Sequence, residues 1–152
     1  WGYFDPHGDN VRWMGIDKGL PPLAQRIDRV LYALVNDLEQ RGMLDSTLVL
    51  VTSEMGRKPK IGDPRSGGVS GAGRDHWTYC LTDLLAGGGI QGGQTYGASD
   101  KHGGYPADRR VTPSDIARTV YHTMGIHDLS ATDSQDRPYN LQEDGRPLLE
   151  LL

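Results

Sequence analysis

A mixed α/β fold is predicted by an amphipathic helical stretch that leads into a short apolar strand, and by a second, capped helix nearer the C-terminus. Leu23, Ile27, Val30, Leu31, Leu34, Val35 and Leu38 recur at helical spacing, the pattern of one apolar face on an α-helix. Pro21 and Pro22 stand before this stretch and Gly42 after it, a start and a stop that suit a helix of about five turns. The run 46–54, STLVLVTSE, is short, β-rich and continuously apolar, as expected of a strand covered on both faces. Ser53 and Glu54 close it, so both stand at a strand's carboxyl end, where open α/β sheets hold their ligands.

Further along, residues 77–88, WTYCLTDLLAGG, read as a second apolar strand, and 87–106 read as loop with room for a hairpin. In 111–126, VTPSDIARTVYHTMGI, Thr112 suits a helix cap and Pro113 the first helical position. Asp115 suits the positive helix end, and Gly125 suits the stop. Ile116, Val120, Tyr121 and Met124 give that helix an apolar stripe. From Asp128 onward the chain is polar until RPLLELL, residues 146–152, which is expected to dock on the core.

At 152 residues the chain is about one domain long. Its formal charge is -4, so no global basic field argues for nucleic acid or an anionic membrane, and anion binding has to be local. Cys80 is the single cysteine, which excludes an internal disulfide framework and a multi-cysteine zinc site. Any metal must therefore be held by histidines and carboxylates. No apolar run approaches the length of a membrane span. The opening WGYFDPHGDN reads like the interior of a longer protein.

Three clusters carry chemistry. In Asp5-Pro6-His7-Gly8-Asp9-Asn10, a carboxylate and an imidazole two residues apart in a constrained turn can converge on one ion, although turn chemistry favours the same residue types. Thr52-Ser53-Glu54-Met55-Gly56-Arg57 ends the first strand, and Gly73-Arg74-Asp75-His76-Trp77 delivers a lone histidine from a glycine-rich loop. Arg57, Lys58, Lys60, Arg65 and Arg74 make the stretch between them locally basic, which suits the charge of a phosphate or sulfate ester. A solvated charged loop is the bland alternative. GGGIQG, residues 87–92, fits a dinucleotide fingerprint but no helix-forming stretch follows it. No metalloprotease, P-loop or serine-elbow motif occurs. His122 and His127, inside and just beyond the second helix, read as structural.

Taken in order, DPHGDN, the stretch ending LEQRGMLDSTLVLVTSEMGRKPKI, GAGRDHW, LLAGGGIQGGQTYGASDKHGGY and VTPSDIARTVYHTMGI resemble the C-terminal part of DUF1501 proteins over roughly residues 1–127. The resemblance implies membership of the alkaline phosphatase and sulfatase superfamily. It implies a three-layer α/β/α sandwich, of which residues 1–152 would be the C-terminal part of a single domain. It also implies metal-dependent hydrolysis of phosphate or sulfate esters.

Carried over by motif, Asp5, His7 and His76 resemble the ligands of one metal, and Glu54 resembles the strand-end ligand of a second. Zinc is the first expectation, with manganese, iron or calcium compatible with such ligands. Arg57 and Arg74 would hold the ester's oxygens, with Asp75 orienting His76 or Arg74, and Asp100, Lys101 and His102 would form a further polar loop at the cleft. Met55 departs from the superfamily's usual histidine, and the nucleophile belongs to the N-terminal part, outside this chain. The implied partner is a small anionic ester, with no nucleic acid and no membrane span. Export of the full-length protein to the periplasm is the implied location. The competing expectation is a non-catalytic surface or carbohydrate-binding module that retains the fold.

Overall fold

In a computed structural model, residue 16, residues 19–62 and residues 73–152 are described. They contain both helices and strands. Helix α1 runs Leu20–Gln40, with proline in its first turn, where the missing amide hydrogen costs nothing. Gly42, at φ 65°, follows its end. The helix is present where the periodicity places it, but only Leu38 of its stripe is buried. Ile27, Val30 and Leu34 are exposed, because among the described elements α1 packs chiefly on the adjoining 3-10 turn Leu44–Ser46.

Strand β1, Val49–Val51, follows. It pairs antiparallel with β4, Leu84–Ala86, through Val49↔Ala86, Leu50↔Leu85 and Val51↔Leu84. All three β1 residues are half-buried, where the apolar run predicted full cover. The reason is that β1 and β4 form a two-stranded sheet with no third strand beside it among the described residues.

The stretch 77–88 is not one strand. Its start belongs to β3, His76–Trp77, which pairs with β2, Gly56–Arg57, and its end is β4. The two are separated where the chain turns past the backbone of Gly56, since a Cβ at that glycine would overlap the Cys80 carbonyl.

The glycine-rich stretch holds a hairpin, as expected: β5, Ala98–Ser99, pairs with β6, Pro106–Asp108. Its turn is tied by Asp100, whose Oδ1 accepts the backbone N–H groups of His102 and Gly104, each at 2.9 Å. A second hairpin, β7 (Ser130–Thr132) with β8 (Pro138–Asn140), lies in the stretch that read as a polar tail. There the Asp133 carboxylate accepts the backbone N–H groups of Gln135 and Arg137, so side-chain oxygens close a turn that hydrophobic patterning does not announce.

Helix α2, Pro113–Thr123, starts as its sequence predicts. Thr112 Oγ1 accepts the Asp115 N–H at 3.2 Å, and Asp115 Oδ2 accepts the Thr112 N–H at 2.8 Å, a reciprocal cap. Its buried face is offset from the expected apolar stripe. Met124 is exposed, whereas Asp115 and Thr119 are buried. The C-terminal segment causes this: Asp115 Oδ1 accepts the Arg146 N–H at 2.9 Å, and Thr119 Oγ1 accepts the Leu148 N–H at 2.9 Å while donating to Asp115 O. Leu148 and Leu151, the latter in a closing 3-10 turn Leu149–Leu151, are buried, as is Leu129. The tail therefore docks on the core, held by polar side chains of α2 as much as by leucines.

Two outcomes follow from this junction. Thr119→Val keeps the shape but strands the Leu148 N–H, and urea titration is expected to show a loss of about 1–3 kcal/mol. Burial raises the Asp115 carboxyl, but hydrogen bonds from the Arg146 N–H and from the Thr112 hydroxyl and N–H outweigh it and leave the group below its ordinary value. A carboxyl that binds its proton more weakly when folded stabilises the fold at all pH above its unfolded value, and the stabilisation fades as pH falls through the lowered one. Denaturation midpoints measured from pH 6 to acid should fall, and Asp115→Asn should flatten part of that slope.

Candidate functional site

The strand-end cluster comes first in the chain. After Val51, Ser53 Oγ donates to Met55 O at 2.7 Å, and the turn so closed leaves Glu54 exposed. Gly56 then lies against the Cys80 backbone, a closeness only glycine permits. Beyond it the chain forms an antiparallel arm. Arg57 stands directly opposite His76, Lys58 N–H donates to Asp75 O at 2.7 Å, and Gly62 N–H donates to Gly73 O at 2.8 Å. The strand-end cluster and the histidine loop, 22 residues apart from Glu54 to His76, are thus brought together by strand pairing. Arg57 Nη1 also donates to Arg74 O at 3.4 Å, which ties the two arginines to one stretch of backbone.

This arm is fastened to the β5–β6 hairpin. Trp77 Nε1–H donates to Gly104 O at 2.6 Å, and the Trp77 ring meets Tyr79 and Tyr105 edge-on, with centroids 4.9 Å and 5.5 Å away. Between arm and hairpin opens a groove of about 1150 Å³. Glu54, Arg57, Arg74 and His76 all line it. Arg109, Arg110 and Asp83 line it as well. Four arginines and two acidic residues thus line one groove in a chain whose net charge is -4. The groove is a local cationic site.

Not every expected residue stands in it. The Asp75 carboxylate pairs with Lys58 Nζ at 3.1 Å, with both side chains about three-quarters buried, and it lies outside the groove wall. Asp100, Lys101 and His102 do not line the groove. Asp100 instead builds the turn that presents Gly104 O to Trp77, and backbone hydrogen bonds, first from Gly104, hold its carboxyl below the ordinary value. GGGIQG has no phosphate cradle: Gly87 and Gly88 take positive φ where they pass close to Leu44, Thr47 and Leu48. His122 and His127 meet ring to ring, centroids 4.7 Å apart, away from the groove. Asp5, His7 and Arg65 lie outside the described residues.

For a metal, the donor types are right but the described set is open. Among the described residues no three His, Cys, Asp or Glu side chains converge on a common ion position. Glu54 and His76 share the groove, and Asp83 Oδ1 is buried there without a hydrogen-bond donor, an arrangement that calls for a compensating partner. Asp83, Arg109 and Arg110 are the groove residues that motif reading misses. Asp83 sits inside an apolar run, and the two arginines follow a hairpin with no functional signature. Among the described residues, no helix is long and apolar enough to cross a membrane.

No curated protein and no solved structure matches the sequence. The family comparison matches across residues 1–152: the chain belongs to DUF1501, described as a protein of unknown function.

Proposed function

We propose that this chain is the C-terminal part of a metal-dependent hydrolase of phosphate or sulfate esters, within the alkaline phosphatase and sulfatase superfamily. In this reading residues 1–152 belong to one three-layer α/β/α domain, and the nucleophile comes from outside the chain. The observation that carries it is the groove in which Glu54, His76, Arg57 and Arg74 meet, cationic within an acidic chain. A divalent cation, zinc first and otherwise manganese, iron or calcium, would be held by Asp5, His7, Glu54 and His76. It would supply Lewis acidity to the ester's oxygen.

The chain's own residues do the rest. Arg57 and Arg74 bring guanidinium charge to the non-bridging oxygens, which favours an oxyanion over water. Strand pairing between Arg57 and His76 sets the spacing of anion holder and imidazole before substrate arrives. Asp75 acts at one remove, because its ion pair with Lys58 holds the arm in register. The substrate is a small anionic ester, and the full-length protein works in the periplasm. The second reading, a carbohydrate-binding module without turnover, draws on the exposed Tyr79 and Tyr105 packed around Trp77, since sugar faces stack on such rings.

The full-length protein, supplied with zinc or manganese, is expected to hydrolyse p-nitrophenyl phosphate or p-nitrophenyl sulfate. His76→Ala should lower kcat/KM by about a hundredfold or more, the scale of losing one group that stabilises developing charge. Turnover unchanged in His76→Ala would remove the histidine from the reaction. Glycan binding with no turnover of either ester would favour the second reading.

A further inference from the structure

Arg109 holds a conformation that nothing in the fold's hydrophobic pattern requires. Its φ is 38°, in the left-handed region, where a residue with a Cβ is strained and where such strain recurs at ligand clamps. The conformation comes at the end of β6, where the neighbouring strand is irregular between Ala98 and Ser99 and where Gly97 lies so close that a Cβ would come within 2.8 Å of Arg109 O.

The side chain is oriented on two sides. Its Cζ stands 4.7 Å from the centroid of the Tyr96 ring, and Nε donates to Asp108 Oδ2 at 3.3 Å. The Tyr96 ring takes one side of the guanidinium and Asp108 takes Nε. Nη1 and Nη2 donate to no described residue. They form an open fork on a side chain whose rotamer is already restrained, and both Arg109 and Tyr96 line the groove. Arg110 follows in the same wall, and no described residue pairs with it.

We infer that Arg109, positioned by Tyr96 and supported by the charge of Arg110, forms a second anion subsite in the groove that Arg57 and Arg74 also line, so that the substrates are esters carrying another anionic group beyond the one hydrolysed. A pre-set planar fork recognises a carboxylate, sulfate or phosphate through two parallel N–H contacts. A restrained arginine loses less freedom on binding than a mobile one. That the second anion belongs to a hydrolysed ester rests on the hydrolase reading; that an anion binds at Arg109 does not.

The test is calorimetric titration of the full-length protein with inorganic sulfate, on wild type, Arg109→Gly, Arg109→Lys and Arg57→Ala/Arg74→Ala. Two classes of site are expected in the wild type. Arg109→Gly should weaken one class about tenfold or more, the loss of one charge-assisted contact. Its thermal midpoint should hold or rise, since glycine takes positive φ without strain. Arg109→Lys, which keeps the charge but not the fork, should recover the site only partly. The Arg57/Arg74 variant should keep the Arg109 class and lose the other.

Sulfate binding unchanged in Arg109→Gly overturns the subsite. So does a lowered midpoint in that variant with binding intact, because Arg109 would then serve the fold. Binding that depends on Arg109 but not on Arg57 or Arg74 supports the subsite and counts against the hydrolase reading, so the two fail separately.

Discussion

The polar junction between α2 and the C-terminal segment is the constraint on which the rest depends. Asp115 and Thr119 are buried, and their oxygens accept the backbone N–H groups of Arg146 and Leu148. Once these bonds form, Leu148 and Leu151 are placed under the groove, and Gln91 N–H reaches Leu151 O at 2.7 Å to bring the glycine-rich stretch alongside. The α2 start, with Thr112 and Pro113, then becomes part of the groove wall. A buried aspartate is costly unless every lone pair has a donor. Here the donors are backbone groups that would otherwise be orphans at a helix start and a tail, so one side chain satisfies both.

The groove itself follows from two close approaches. Gly56 lets the strand end pass the Cys80 backbone, which turns the chain so that Arg57 and His76 can pair. Trp77 then reaches across to Gly104 O, and Asp100 holds the turn that offers that carbonyl. Without either approach the cationic residues would be scattered on separate hairpins. With both, a chain of net negative charge keeps its arginines where an oxyanion would neutralise them.

What the sequence made legible, and what it hid, divides along physical lines. Local signals were sufficient for both helices: Thr112, Pro113, Asp115 and Gly125 each do the work their types suit. The family resemblance implies one site for Glu54, Arg57, Arg74 and His76, and all four line one groove. By contrast, the stretch 77–88 reads as one strand because its apolar residues are continuous, and nothing local reveals that Thr78 and Tyr79 lie in a turn that splits it between two sheets. The β7–β8 hairpin is held by Asp133 rather than by apolar alternation, so patterning passes over it. Asp75 meets Lys58 from 17 residues away, a pairing that the loop's sequence does not announce, whereas Asp100 ties a turn to Gly104 only four residues on, in a glycine-rich stretch where a polar loop is the plainer reading. Arg109 is hidden as well: its backbone angle and its seat on Tyr96 are tertiary facts.

In the hydrolase reading proposed above, the groove works around a divalent ion held in part by His76, with an arginine-lined seat for an oxyanion beside it. Its most direct test is the metal content of the full-length protein by inductively coupled plasma mass spectrometry after reconstitution with zinc, manganese or calcium, set against a His7→Ala/His76→Ala variant that folds normally by circular dichroism. Stoichiometric metal in the native protein, lost in the variant, is the expected result. Metal-free native protein, or the same content in both, would rule the ion out.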